Sequence, residues 1–403
     1  MTTRGTAETI GGMRALLDPS RRTVLRLGTV TAASAVLSGT VARTATAATP
    51  AVPAPPLDDV PGSTRTIPWS AFRSRGLPPA TGAFSLLGLT WDDPAAELHA
   101  AVTVRVRDAA TGRWSDWLPL DTHGREDAPD PDQLTTGARG GTPPLWVGPS
   151  DDLRVRLVPR AGTRLPDGLR ADLVDPGPDG AAVAAHPLPE PADGPGSRAL
   201  ERPSTRMGGR PAIVTRKGWG ADESLREKQF AYTSPVRAIF VHHTATGNGY
   251  SCSQAPAVIR GIYRYHVKSN GWRDIGYNFL VDTCGRIYEG RAGGVARPVL
   301  GAHTLGFNTG TAGIAAIGSY DSASPPSAML SAIARLAAWK LGMTHTNPAG
   351  TVVLTSGDSG SRYPKGARHT FRTISGHRDA FSTDCPGGRL YADLPRIRSL
   401  AAG

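Results

Sequence analysis

The sequence predicts two domains. A C-terminal α/β domain has a central mixed β-sheet flanked by helices, and a smaller all-β, sandwich-like domain precedes it. Three observations carry this. The chain has 403 residues, more than one hydrophobic core usually organises. Between Thr66 and Asp175 it runs in short segments of period two with frequent turn signals and no helical period. After Pro211 continuous apolar runs alternate with helix-period segments, the signature of strands with helices between them.

The first element is an address. Ser20-Arg21-Arg22-Thr23-Val24-Leu25-Arg26 is a twin-arginine pattern, and Ala45-Thr46-Ala47 offers small residues for cleavage. Residues 1–47 therefore read as a signal peptide for the twin-arginine export pathway. Leu27 to Ala42 is too short and too weakly apolar for an anchor, and no other segment approaches spanning length. Pro-rich residues 48–64 and 176–208 read as linkers, which leaves domains at 65–175 and 209–403.

In the β domain, Leu98 to Arg107 is a strand, Asp108 to Gly112 a turn and Trp114 to Leu120 the next strand. Leu145 to Val147 and Leu153 to Val158 read as two more. Trp114 and Trp117 are expected to fill the core rather than form a carbohydrate-binding face. Asp127 to Asp132 reads as an acidic turn. No cluster in this domain suggests chemistry.

In the second domain Ala238 to Val241 is a buried strand and Ala255 to Val267 a helix. Tyr277 to Asp282 and Arg286 to Glu289 form a hairpin, Gly313 to Gly318 is a buried strand, and Ser327 to Leu341 is a helix stopped by Gly342. His242 follows the first of these strands, and its neighbour His243 should face the opposite way. His377 and Cys385 are separated by a polar segment that should loop out. Two imidazoles and a thiolate with a fourth position open is how a catalytic zinc is held. On spacing alone the same residues also suit ordinary structural roles.

Composition narrows the partners. Residues 1–47 carry six Arg against two acidic residues, so about +7 of the formal +11 stays with the rest of the chain. That suits an anionic partner such as a bacterial wall. Without a dense basic run interleaved with aromatics, nucleic acid is not expected. Three cysteines, Cys252, Cys284 and Cys385, are an odd number for an exported chain, and their pairing is open from the sequence.

Several short motifs occur in order: Trp219-Gly220-Ala221, Val241-His242-His243-Thr244-Ala245, His266, Gly271-Trp272-Arg273-Asp274-Ile275-Gly276-Tyr277-Asn278-Phe279, Tyr288-Glu289-Gly290-Arg291, Gly301-Ala302-His303, Gly306-Phe307-Asn308 and Gly376-His377-Arg378-Asp379. Over about residues 211–395 this resembles the peptidoglycan recognition proteins, or type 2 N-acetylmuramoyl-L-alanine amidases. The Trp114 to Trp117 region is more loosely similar to β domains that precede such amidases in actinobacterial secreted proteins.

The resemblance implies that His242, His377 and Cys385 hold Zn2+. It implies Tyr277 and Thr383 as catalytic residues and His266 and His303 in the substrate groove, the alternative for these two being internal satisfaction. With Cys385 on the metal, Cys252 and Cys284 remain to form a disulfide. It implies a monomeric, secreted or wall-located amidase, not stably inserted in membranes after signal cleavage. Its substrate would be the amide between N-acetylmuramic acid and L-alanine in bacterial peptidoglycan. Members that only recognise peptidoglycan lack the ligand cysteine; this chain keeps it, so the resemblance implies an enzyme, the alternative being a non-catalytic peptidoglycan binder. Zinc would activate water and polarise the carbonyl. Thr383 would serve the oxyanion and Tyr277 the water or oxyanion. The acid for the leaving amine is not identified. Asp379 is expected either to orient a ligand histidine or to make a local turn or ion pair.

Overall fold

The computed structural model describes residues 62–73, 81–122, 129–130, 134–178 and 209–403. The twin-arginine segment, most of both linkers and most of the acidic turn lie outside the described residues.

The β domain is all-β and sandwich-like. Strands β1 (Ser63–Pro68), β2 (Phe84–Trp91), β3 (Ala100–Asp108), β4 (Leu118–Leu120), β5 (Gly140–Gly141), β6 (Leu145–Pro159) and β7 (Arg170–Asp175) run in the order β1-β7-β2-β6-β3-β4, with β5 on β2. One helical turn, α1 (Trp69–Arg73), follows β1. Leu145 to Val158, read from the sequence as two strands, is one strand of 15 residues including Pro159. Gly148 takes a positive φ within it (74°), which bends the strand without ending it. The part before the bend pairs β2 and the part after pairs β3, so the sheet folds over one core. Val102, Val104 and Val106 point inward and Thr103, Arg105 and Arg107 outward, as period two requires.

Trp114 and Trp117 are not in that core. Both are half-buried on the outer face, where Arg105, Arg154 and Arg156 stack on their rings. Trp114 forms only an isolated bridge to Arg107, and the regular strand begins at Leu118. The inward positions are already filled by other apolar side chains, Phe84 and Trp91 among them, so these two indoles gain more from cationic stacking outside.

The second domain is α/β with a six-stranded mixed sheet. Its strands are β8 (Ile213–Val214), β9 (Ala238–His243), β10 (Phe279–Val281), β11 (Ile287–Glu289), β12 (Thr311–Ala316) and β15 (Ile374–Gly376), in the order β15-β9-β12-β10-β11-β8. β13 (Thr351–Thr355) and β14 (Arg368–Arg372) form a separate hairpin. Helix α2 (Arg216–Trp219) is a single turn. Helix α3 (Ala255–Arg264) packs Val258, Ile259 and Ile262 on one sheet face with Leu280 and Ala315. Helices α4 (Ser327–Gly342) and α6 (Leu394–Ala402) cover the other, where Ile333, Leu336 and Ile397 meet Val241 and Ile314. A short helix α5 (Gly388–Ala392) precedes α6. Gly342 is the last residue of α4 rather than lying beyond it, and the chain turns at His345, which has a positive φ.

Lys340 is 97% removed from solvent yet charged, donating 3.0 Å bonds to the Val295 and Arg297 carbonyls. Burial pulls its pKa down to about 8. Between that value and the unfolded lysine value of about 10.4, the unfolded chain holds the extra proton. Stability should therefore rise with pH across this window, by on the order of 2 kcal/mol from this residue. Urea midpoints of the wild type and Lys340→Met at pH 7.5 and 9.5 check this. The wild type should gain on the variant at the higher pH.

The two domains share a core. Leu86, Trp146 and Val174 of the β domain join Ile262, Tyr263 and Tyr265 in one cluster. The fully buried Tyr265 hydroxyl lies 3.1 Å from the carbonyls of both Leu89 and Thr142, and Gly88 has no Cβ where that hydroxyl sits. Backbone bonds join Trp146 to Thr246 and Arg139 to Asn270, and Asp130 accepts from the Gly306 amide at 2.6 Å. Tyr265→Ala should lose about 3–5 kcal/mol of stability, because it opens a cavity and strands two carbonyls. Denaturant unfolding followed by tryptophan fluorescence measures that loss.

Candidate metal centre

Four neighbouring strands, β15, β9, β12 and β10, are parallel, so their C-terminal ends meet on one edge of the sheet. Open α/β sheets place ligands at such ends. His242 stands near the end of β9. Gly376 pairs with Val241, which sets His377 beside His242 with ring centroids 4.5 Å apart. A turn of 3₁₀ helix follows at His377–Asp379. The polar segment then loops out and returns, closed by the Arg378 amide on the Cys385 carbonyl at 3.0 Å. This return brings Cys385 Sγ within 3.7 Å of His242 Nδ1. One ligand atom from each of His242, His377 and Cys385 lies within 4.8 Å of the others, and all three residues are buried.

The donor set fits a metal ion of zinc's preference: two imidazoles and a thiol converging in a buried site. The His243 backbone N–H points at Cys385 Sγ at 3.4 Å, a contact that favours the thiolate. The His243 ring faces the other way, as strand alternation predicts, and its Nδ1 accepts from the Tyr320 amide at 3.2 Å.

His303 stands beside the first of these histidines, His242. Its Nδ1 lies 3.2 Å from His242 Nε2 and 2.9 Å from Thr304 Oγ1. Thr304 Oγ1 is itself 3.4 Å from His242 Nε2. Asn308 Oδ1 holds this loop by accepting from the amides of His303 and Thr304. Any Cβ on Gly301 or Gly313 would stand 2.5 Å from the His303 ring, so both must be glycine for the ring to lie there. This orients His242 so that Nδ1, not Nε2, faces Cys385. Thr304, Asn308 and these two glycines were missed from the sequence, where only the words Gly301-Ala302-His303 and Gly306-Phe307-Asn308 marked the region.

Asp379 makes a local turn. It caps its own turn, accepting from the Gly376 amide at 2.9 Å and from the Tyr391 hydroxyl at 2.6 Å.

Tyr277 is buried with its ring 5.6 Å from that of His242 and 5.9 Å from that of His266. His266 lies where helix α3 opens into a π-turn at Tyr265–Ser269. Its ring stacks on Trp272 at 4.3 Å and its Nδ1 accepts from the Gly276 amide at 3.2 Å. Thr383 is half-buried beside the cysteine, and its hydroxyl accepts from the Cys385 amide at 2.9 Å. Cys252 and Cys284 form a disulfide that ties the start of α3 to the β10–β11 turn. The loop it closes spans a sequence separation of 32. Among the described residues, no helix is long and apolar enough to cross a membrane.

Fold and site together define a mixed-sheet α/β domain carrying a buried His/His/Cys cluster at its strand ends. Residues 232–388 match the family described as N-acetylmuramoyl-L-alanine amidase, and residues 42–189 match the Rv3811 N-terminal galactose-binding domain-like family. Peptidoglycan-recognition protein SC2 of Drosophila simulans is 31% identical over 185 residues, covering 45% of this chain and 84% of that protein. Human N-acetylmuramoyl-L-alanine amidase is 35% identical over 191 residues, covering 47% of this chain and 28% of its own length. A structure of wild-type Drosophila PGRP-LB aligns over 45% of this chain and 92% of its own, at 29% identity and a TM-score of 0.36. The chain belongs to the family of peptidoglycan recognition proteins and N-acetylmuramoyl-L-alanine amidases.

Proposed function

We propose that the protein is an exported zinc-dependent amidase that hydrolyses the bond between N-acetylmuramic acid and L-alanine in peptidoglycan. The observation that carries this reading is the convergence of His242, His377 and Cys385 within 4.8 Å in a buried site. Relatives in the family include both amidases and recognition proteins, and the retained thiol favours the former. Export rests on the twin-arginine pattern at Arg21-Arg22.

When bound, zinc supplies Lewis acidity and an activated water at neutral pH. The chain's own groups do the rest. His303 and Thr304 fix the His242 ring so that Nδ1 points into the site. Thr383 accepts a bond from the Cys385 amide, which leaves its single proton to donate toward a developing oxyanion. Tyr277 packs near His242 and would orient water or donate to the same charge. The buried rings of His266 and Trp272 pack on each other and keep bulk water from the side of the site next to Tyr277.

Mass analysis of purified wall digested by the zinc-loaded protein tests the bond. New peptides beginning at L-alanine support the reading. Products cut within the glycan or within the peptide would replace it with another hydrolase activity.

A further inference from the structure

The outer face of the β domain carries a line of side chains that the proposed reaction does not use. The ladder pairs Ala101 with Val158, Thr103 with Arg156 and Arg105 with Arg154, all outward-facing. Arg156 lies 3.9 Å over the Trp117 ring, and Arg105 and Arg154 lie 5.0 and 4.7 Å from that of Trp114. None of these three arginines has a carboxylate partner among the described residues. Only Arg107, at the far end, is paired, with Asp151 and Asp152. At the near end Val158 is 65% exposed, the most exposed large apolar side chain described. It lines a cavity of about 570 Å³ bounded by Trp91, His99 and Arg160 from the β domain and by Phe381 and Ser382 from the second domain. Phe381 and Ser382 belong to the loop that carries Thr383 and Cys385, and the Phe381 ring is 5.9 Å from that of His377.

We infer that this face is a track for the glycan strand whose stem peptide is being cut. The inference rests on the amidase reading. Peptidoglycan is a polymer, so when one repeat sits at the metal the neighbouring repeats must lie against something. The cavity leads from the catalytic loop to Val158, and the line from Val158 to Arg154 extends it by about 13 Å at the rise of a strand. Guanidinium groups held by stacking are pre-ordered donors for the carboxylates of neighbouring stem peptides and for acetamido and hydroxyl oxygens. The open edges of the indoles offer apolar contact to sugar rings. The β domain then selects polymer over fragment, while the second domain cuts either.

The test uses the full zinc-loaded chain, Arg154→Glu/Arg156→Glu and Trp117→Ala, with soluble uncrosslinked glycan strands and a single muramyl peptide as substrates. Both variants should raise KM for strands about tenfold and leave KM for the single muramyl peptide within about twofold. Added salt should raise the wild-type KM for strands and leave that of the double variant nearly unchanged. Equal changes on both substrates, or none on either, overturn the track. Co-sedimentation with intact wall gives a readout independent of turnover. If the wild type cuts neither substrate, the amidase reading fails. The track still stands if the wild type sediments and the double variant does not, and it falls if both sediment alike. Release of the wild type from wall by an equal mass of duplex DNA would also overturn it, since the face would then be a general polyanion surface.

Discussion

Cys385→Ala is expected to lower amidase turnover by more than about three orders of magnitude, because the site loses its thiolate and the activated water that the metal supplies. The change removes one buried sulfur from a loop at the sheet edge, so the fold should survive with a loss of only about 1 kcal/mol. Equilibrium dialysis should show zinc affinity falling with activity. Binding to intact wall should persist, since the arginine and tryptophan face of the β domain does not depend on the thiol. Turnover at the wild-type rate would mean that the cysteine is not a ligand and that the three-residue cluster is a structural coincidence.

Tyr277→Phe carries the second large effect. The ring stays to pack against His242 and His266, so the fold and the packing around the site are retained. What goes is a hydroxyl proposed to meet charge that develops only in the transition state. Removing one such donor typically costs about 10²–10³ in kcat with little change in KM. Steady-state kinetics on a muramyl peptide decides it. A rise in KM at constant kcat would make Tyr277 a binding residue instead. Thr383→Val should behave similarly but more weakly, since Thr383 is only half-buried and water can replace its donor.

The parts of the site that follow local rules were legible in the sequence. His242 ends an apolar run and so stands at a strand end, and alternation turns His243 away from it. The Gly376-His377 step was legible only through the resemblance, because β15 is three residues long and too short for periodicity to reveal. The support around His242 was not legible. It depends on Gly301 and Gly313 leaving room for one ring, and on Asn308 holding two amides, and such complementarity across loops has no local pattern. The same holds for the β domain. Its strands were visible, but the indoles of Trp114 and Trp117 were assigned inward because burial is the usual fate of tryptophan. Nothing local announces that Arg105, Arg154 and Arg156 arrive from two other strands to hold them outside. The docking of the two domains through Tyr265 was equally hidden. Leu89 and Thr142, whose carbonyls the hydroxyl meets, lie more than a hundred residues away in sequence.

The disulfide between Cys252 and Cys284 anchors the turn at Asp282–Arg286, which Asp282 also holds by accepting from the Cys284 and Arg286 amides. These bonds and the disulfide hold the same turn.

The central claim is that His242, His377 and Cys385 hold a zinc ion that cuts peptidoglycan. Titrating the metal-free protein with zinc while counting new L-alanine amino termini released from purified wall tests it most directly. Release should climb in proportion to added zinc and level off at one equivalent, with none from Cys385→Ala. One equivalent bound with no new amino termini would contradict the claim and leave a recognition protein with a metal it does not use.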